Sequence, residues 1–313
     1  MTPASASLAR PALAATRTAL ARERHGAWLM VAGGILLGNL GVFVEEAAQD
    51  PLTNVLFRCA FGGVALLAWG TLTGRLHELR LRGYAWLAAL VAGVLIILNW
   101  TLFFAAITRT SIGVATVVFH VQPLWVMAFG AWWLRESVSR AQWMTALVAL
   151  AGLALATGLL EQARAGTGWP ASYLWGVTMC LGGSLRYAGA TLIAKSARSI
   201  TPYALAWWQC AVGVLALAWW PLVHGWPDTA ASWAWLAGLG AIHTGLAYVV
   251  LYAGRARLAA ARIAMLQFVY PAAAILVDWA VYGRALSLGQ MGGVALMGLA
   301  LWVVRRPGHA SSR

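Results

Sequence analysis

The sequence predicts an all-α integral membrane protein: ten transmembrane helices arranged as two inverted five-helix repeats. Three observations carry this. The 313 residues are 61% hydrophobic and only 10% charged, with a mean hydropathy of +0.73, whereas a soluble domain is about half apolar and a quarter charged. The apolar residues fall into ten runs of about 20 residues, the length that crosses the hydrocarbon of a bilayer. The second half of the chain also repeats the first. Soluble enzyme, secreted module and DNA-binding domain are excluded as first readings.

Residues 1–25 are Ala/Arg-rich, and Arg10, Arg17, Arg22 and Arg24 interrupt every apolar stretch. That leaves no signal-peptide core and predicts a disordered cytoplasmic tail. The first five spans read as 26–47, 52–73, 83–107, 111–134 and 139–160. The second five read as 172–194, 202–223, 232–254, 260–282 and 287–304. Short connections hold the turn and charge signals: Asp50-Pro51, Arg75 to Arg82, Arg135 to Arg140, Ser199 to Pro202 and Pro227-Asp228. An outer linker, 161–171, separates a first repeat, 26–160, from a second, 172–304, and 305–313 form a short cytoplasmic tail. No period-two alternation is sustained, so barrel strands are excluded.

Charge placement orients the chain. With the N-terminus inside, 17 of the 22 Lys and Arg fall on the inner side, among them Arg255, Arg257 and Arg262. Only Arg109, Arg164 and Arg284 fall outside, and Arg58 and Arg186 lie within spans. Carboxylates show the opposite bias, with Glu45, Glu46, Asp50, Glu161, Asp228 and Asp278 outside. Both termini are then cytoplasmic, in an inner (plasma) membrane protein. The +13 charge reports topology, and no basic stripe with stacking aromatics suggests nucleic acid. Cys59, Cys180 and Cys210 sit in apolar runs without metal-ligand spacing and read as buried thiols.

The repeat is explicit. Residues 51–69 align with 202–220 at an offset of 151, matching Pro51/Pro202, Cys59/Cys210, Gly62/Gly213 and Trp69/Trp220. A second register, offset 148, pairs Gln122-Pro123 with Tyr270-Pro271, and Ser139 and Gln142 with Ser287 and Gln290. Five spans per half is odd, so the halves enter the membrane from opposite faces, the arrangement that gives many carriers their two open states.

At these residues the chain resembles the drug/metabolite transporter superfamily in its ten-helix EamA form. The resemblance covers roughly residues 26–304. Its carriers are Arg58, the stretch from Ser111 through Pro123 to Leu134-Arg135-Glu136-Ser137-Val138-Ser139, and the counterpart from Ala259 through Tyr270-Pro271 to Ser287. One departure is plain: the family's loop Glu stands as Glu136, but its second-half equivalent is Arg284. If that Glu caps the helix after it, the second hinge is held differently. The resemblance extends to the YddG-like branch, which implies export of aromatic and other neutral amino acids.

Polar groups within spans are costly in lipid and mark cavities or helix contacts. The candidate substrate-binding set is Asn99, Trp100, His120, Gln122, Arg186, His243, Tyr248, Gln267 and Tyr270, with Pro123 and Pro271 as hinges. The paired prolines free backbone carbonyls at mid-span, and Trp100 and Tyr248 are mates at offset 148. Packing within the bundle is the competing reading for each of these residues. For Arg186 it is a pair with backbone carbonyls, and for Arg58 a structural role is favoured. Trp100, Trp125 and Trp175 read as the deeper tryptophans.

No Asp or Glu lies near the centre of a span, which disfavours a proton-coupled drug exporter built on a central carboxylate, the main alternative. An intramembrane enzyme fits poorly: His77-Glu78 lacks the second His of HExxH, and Gly182-Gly183-Ser184 does not begin GxSxG. The expected partners are a small-molecule substrate and the bilayer, with a monomer plausible. No cofactor, metal or nucleic acid is expected.

Overall fold

The computed structural model describes residues 3–107, 109–110, 112–157, 171–283 and 287–305. Ser111, most of the 161–171 linker, Arg284 and the tail beyond 305 lie outside the described residues. Among the described residues every regular element is helical. Seven helical stretches are long and apolar enough to cross a membrane by length and composition, and Arg140–Ala156 and Leu288–Val303 are shorter apolar helices. Ala171–Ser196, at 26 residues, is also long enough, at about 39 Å. These ten segments are spans 1 to 10 below. Apart from the start of span 1, the described boundaries fall within a few residues of their sequence expectations.

Span 1 comprises α1 (Pro3–Gly38) and α2 (Leu40–Ala47). The first helix reaches back to Pro3, where a disordered tail was expected. Alanine is the strongest helix former, and the Ala-rich run extends the helix already begun in the span. The end of that run is tied down, because Arg262 Nη1 lies 2.6 Å from Glu23 Oε1.

Span 2 is α3 (Pro51–Leu72). Asp50 caps it, accepting from the Leu52 and Thr53 N–H groups at 2.9 and 3.1 Å, and Pro51 occupies the first turn, where its missing N–H costs nothing. The mate is built alike. Thr201 accepts from the Ala204 N–H at 3.2 Å ahead of Pro202, which starts α9 (Pro202–Leu217) in span 7. The second matched pair is a capping box at each site. Ser139 and Gln142 exchange bonds at the start of α7 (Arg140–Ala156), span 5, and Ser287 and Gln290 do so before α15 (Leu288–Arg305), span 10.

Spans 4 and 9 are broken where the paired prolines predict. Span 4 is α5 (Ile112–Phe119) and α6 (Gln122–Trp133), with the break at His120–Val121. Span 9 is α13 (Ala260–Leu266) and α14 (Val269–Tyr282), with the break at Gln267–Phe268. Pro123 and Pro271 have no N–H to give to the carbonyls of Phe119 and Gln267, four residues back. Span 8 carries a different irregularity. Between α11 (Ala230–Gly238) and α12 (Ala247–Arg255), Leu239–Leu246 forms π-helical turns. A Cβ on Gly240 would stand 2.5 Å from Phe61 Cβ and 2.9 Å from the Arg58 carbonyl oxygen, so only glycine lets spans 2 and 8 pack this closely.

The remaining spans are α4 (Tyr84–Ile107), span 3, and α8 (Ala171–Ser196), span 6; α10 (Trp220–His224) completes span 7. Packing is exchanged when five is added to each span number. Span 3 lies on 6 as 8 lies on 1, span 2 on 8 as 7 on 3, and span 1 on 9 as 6 on 4; pairs 2–7, 4–9 and 5–10 map onto themselves. The halves are thus related by a pseudo-two-fold, and intertwine into two groups: spans 1, 2, 8 and 9, and spans 3, 4, 6 and 7. Mates meet on the axis. The His120 and Phe268 rings are 6.3 Å apart, and a Cβ on Gly213 would lie 2.5 Å from Cys59 Sγ.

Candidate functional site

Where the two groups face each other, cationic and aromatic side chains form a continuous chain. Arg58, on span 2, is 3% exposed. Its Nε donates to Thr244 Oγ1, in the π-helical turns of span 8, at 2.9 Å. Its guanidinium carbon lies 4.1 Å from the centroid of the Trp100 ring on span 3, a cation–π contact strengthened by burial. Trp100 meets Tyr248 of span 8 edge to face at 5.9 Å, and Tyr248 meets Tyr252 at 5.6 Å.

The chain continues from Tyr252. Its hydroxyl donates to Gln209 Oε1 of span 7, and its ring lies 5.1 Å from the Arg255 guanidinium. Arg255 donates from Nη2 to the Tyr187 hydroxyl of span 6 at 2.5 Å. From Tyr187 the contacts pass through Phe119 at 5.9 Å and His120 at 5.6 Å to Tyr270 of span 9 at 5.9 Å. There the chain of contacts ends, close to the helix break at Gln267–Phe268.

The nine sequence candidates divide by the groups they join. Trp100, His120, Tyr248 and Tyr270 lie at the junction between the two groups. Asn99 and His243 lie inside a group: Asn99 Nδ2 donates to the Gly183 carbonyl at 3.0 Å, joining spans 3 and 6, and His243 Nε2 is 2.6 Å from Asn39 Oδ1, joining spans 8 and 1. Arg186 Nη1 donates to the Gly182 carbonyl of its own helix at 2.8 Å. Gln122 and Gln267 are buried beside the two helix breaks.

Several of these groups have unused hydrogen-bonding capacity. The Thr116 carbonyl, 2.7 Å from His120 Nδ1, can only accept, so in the neutral ring the proton is on Nδ1 and Nε2 is an acceptor. That Nε2, Gln122 Oε1, both amide atoms of Gln267, Gln209 Nε2 and Arg255 Nε are buried without a protein partner. Each such atom costs about 1–3 kcal/mol if left unpaired. Those beside the two helix breaks, on His120, Gln122 and Gln267, suit a polar ligand or water.

Sequence reasoning placed Arg255 among loop charges. It is 1% exposed and turned into the bundle. Tyr248, Tyr252 and Arg255 are spaced i, i+4, i+7 and therefore share one helix face, which was the signal available. Tyr187 and Gln209 are polar in-span residues that periodicity alone did not place in the site. Trp175, 58% exposed, faces outward, which is the lipid-facing alternative for these tryptophans.

The ends of the spans carrying most of the arginines hold a cavity of about 920 Å³ lined by Arg22, Arg75, Lys195, Arg198, Arg257 and Tyr252, among others. Two of its cations are paired, Arg75 with Glu78 and Lys195 with Glu136. Burial alone would raise the Glu78 carboxyl, but hydrogen bonds from Arg75 and Thr201 and the nearby positive charge hold it below its ordinary value. Glu136 does not cap the helix that follows it, as one expectation ran. Ser139 does that, while Glu136 Oε2 accepts from the Ala260 N–H at 2.6 Å, capping span 9 in the other half.

Both halves of the chain, residues 24–158 and 174–306, match the EamA-like transporter family. The chain belongs to that family. It is 26% identical over 287 residues to the uncharacterized transporter YxxF of Bacillus subtilis, covering 90% of each chain. It is 28% identical over 273 residues to the uncharacterized transporter YwfM of the same organism, covering 85% of this chain and 88% of that one. A solved structure described only as a crystal structure of a protein superposes with a TM-score of 0.77 at 18% identity, over 90% of this chain and 97% of that one. That likeness speaks to the fold. The EamA family is one of membrane transporters with repeated halves.

Proposed function

We propose that this EamA-family transporter is an alternating-access carrier that exports small metabolites, foremost aromatic and other neutral amino acids. It sits in the plasma membrane with its basic end and both termini cytoplasmic, and works as a monomer. The observation that carries the reading is the junction itself: Arg58, Trp100, Tyr248, His120 and Tyr270 come from both span groups and meet where those groups face each other. A guanidinium suits a carboxylate. Trp100, Tyr248 and Tyr270 offer ring faces to an apolar or aromatic side chain. His120 Nε2 and the carbonyl oxygens of Gln122 and Gln267 are acceptors for an ammonium group.

Rocking of spans 1, 2, 8 and 9 against spans 3, 4, 6 and 7 exposes the junction to either side in turn. The breaks at Pro123 and Pro271 absorb the bending. No Asp or Glu sits mid-span to exchange a proton, so the cycle runs without an obligatory ion gradient.

Counterflow in proteoliposomes tests this. With unlabelled amino acid inside and labelled amino acid outside, trans-stimulated uptake of phenylalanine or tryptophan without a gradient is expected. Absence of exchange with every amino acid, or exchange only under an imposed proton gradient, would overturn the substrate class or the uncoupled cycle respectively.

A further inference from the structure

Three basic residues follow one another where span 8 turns into span 9, and they are treated differently. Arg262 is paired with Glu23. Arg257 lines the basic cavity and donates to its own helix at Ala253. Arg255 turns inward and is the largest fully buried side chain among the described residues. The three ion pairs formed among the described residues, Arg75–Glu78, Lys195–Glu136 and Arg262–Glu23, do not include it.

What surrounds Arg255 orients it without neutralising it. One Nη2 donor is used by the Tyr187 hydroxyl, and the rings of Tyr187 and Tyr252 lie 5.3 and 5.1 Å from the guanidinium. Its Nε has no partner. A buried charge without a counter-charge is strongly unfavourable, so a fold that retains one presents it to an anion. A structural staple between spans 6 and 8 could be built from Tyr and Gln alone, as Tyr252 and Gln209 show between spans 8 and 7.

Position supplies the second half of the argument. Tyr252 lines the basic cavity and also flanks Arg255. Tyr248, one turn further in, joins Tyr252 to Trp100, on whose ring Arg58 lies. Side-chain contacts therefore lead from the cavity bearing Arg22, Arg198 and Arg257, through Tyr252, to Arg255, and through Tyr248 and Trp100 to Arg58 at the junction.

We propose that Arg255 and Tyr187 form an inner subsite that receives the carboxylate of the transported molecule before Arg58 does. The proposal rests on the carrier reading above and sharpens its substrate class: a carboxylate is required, and the decarboxylated amine or the carboxamide of the same molecule is rejected.

The test uses the full-length protein in lipid nanodiscs, with binding followed by intrinsic tryptophan fluorescence and thermal shift. The probes are phenylalanine, phenylacetate, phenylacetamide and phenethylamine. The wild type is expected to bind the two carboxylates at least about tenfold more tightly than the amide or the amine, the worth of one charge-assisted contact. Arg255→Gln loses that preference. Arg255→Lys, which keeps the charge and is the control should the glutamine variant fail to fold, retains part of it, because the ammonium lacks the planar fork. A wild type that does not discriminate carboxylate from amide overturns the proposal, as does a folded Arg255→Gln or Arg255→Lys protein with unchanged affinity and preference.

The two readings fail separately. Carboxylate binding that depends on Arg255 without any counterflow would sink the amino-acid carrier and keep the subsite. Normal counterflow by Arg255→Gln, with KM unchanged, would do the reverse.

Discussion

Contacts inside each group of spans differ in kind from contacts between the groups. Inside, spans are joined by directed hydrogen bonds at mid-depth: Asn99 to the Gly183 carbonyl, His243 with Asn39, Trp125 to Ser184 and Arg58 to Thr244. Between the groups the central contacts are ring faces and edges, Trp100 with Tyr248 and His120 with Tyr270. The hydrogen bonds that cross lie away from this centre, from Tyr252 to Gln209 and from Arg255 to Tyr187 nearer the basic end, and from Trp220 to Asp50 at the opposite end. A hydrogen bond in lipid tolerates little displacement before both partners are left unpaired. An aromatic pair is worth about 0.5–1.5 kcal/mol over a broad range of geometries. Under the rocking cycle proposed above, the ring contacts between the groups are the ones expected to slide, and the bonds inside each group the ones expected to hold.

The largest expected effect breaks the junction. Trp100→Ala removes the platform under Arg58 and the edge contact to Tyr248, and His120→Ala removes the link from span 4 to Tyr270. Each variant should lower counterflow by about tenfold to a hundredfold per folded molecule, the scale of one or two lost contacts of about 1.4 kcal/mol. Trp302, 52% exposed on span 10, is the reference, and Trp302→Ala should change transport less than about twofold, as surface substitutions usually do. Equal losses in all three would show that the junction is not where substrate is held.

A smaller effect should have the opposite signature. Asn99→Leu and His243→Leu remove bonds inside a group, so stability should fall while exchange per folded molecule changes little. Side-chain hydrogen bonds between membrane helices are worth about 0.6 kcal/mol on average and at most about 1.7, which thermal unfolding in detergent can resolve. A full loss of transport at normal stability in either variant would move that residue from scaffold to site.

This distinction marks where the sequence stops being legible. Span positions were readable because length and hydropathy are local. The breaks were readable because Pro123 and Pro271 remove specific hydrogen bonds. The repeat was readable because Pro, Cys and Gly recur at one register. The partner of a polar side chain was not, since it depends on which face of a tilted helix meets which neighbour. Asn99 and Trp100 are adjacent in sequence, yet one binds within its group and the other across. Arg255 was counted with the loop charges because the charge rule registers the end of a span without its facing. The reach of Glu136 into the other half follows from no local pattern either.

The smallest effect compares the two mate caps at the start of spans 2 and 7. Thr201 makes one local cap bond. Asp50 makes two, and its Oδ1 also accepts from Trp220 Nε1 at 2.9 Å, tying span 2 to span 7 across the groups. Burial alone would raise the Asp50 carboxyl, but hydrogen bonds from the Thr53 side chain and backbone, from Trp220 and from the Leu52 backbone leave it below its ordinary value. The folded state thus favours the ionised form. Its contribution is fully present above the unfolded value, about 3.9, and is lost as the pH falls through the lower folded value. Asp50→Ala and Thr201→Ala should each cost about 1 kcal/mol at pH 7. Toward pH 3 the Asp50→Ala deficit should shrink while that of Thr201→Ala stays, because a hydroxyl does not titrate there. Unfolding temperatures of both variants and the wild type at pH 7, 5 and 3 measure this directly, and parallel deficits at every pH would show that Asp50 acts as a neutral cap.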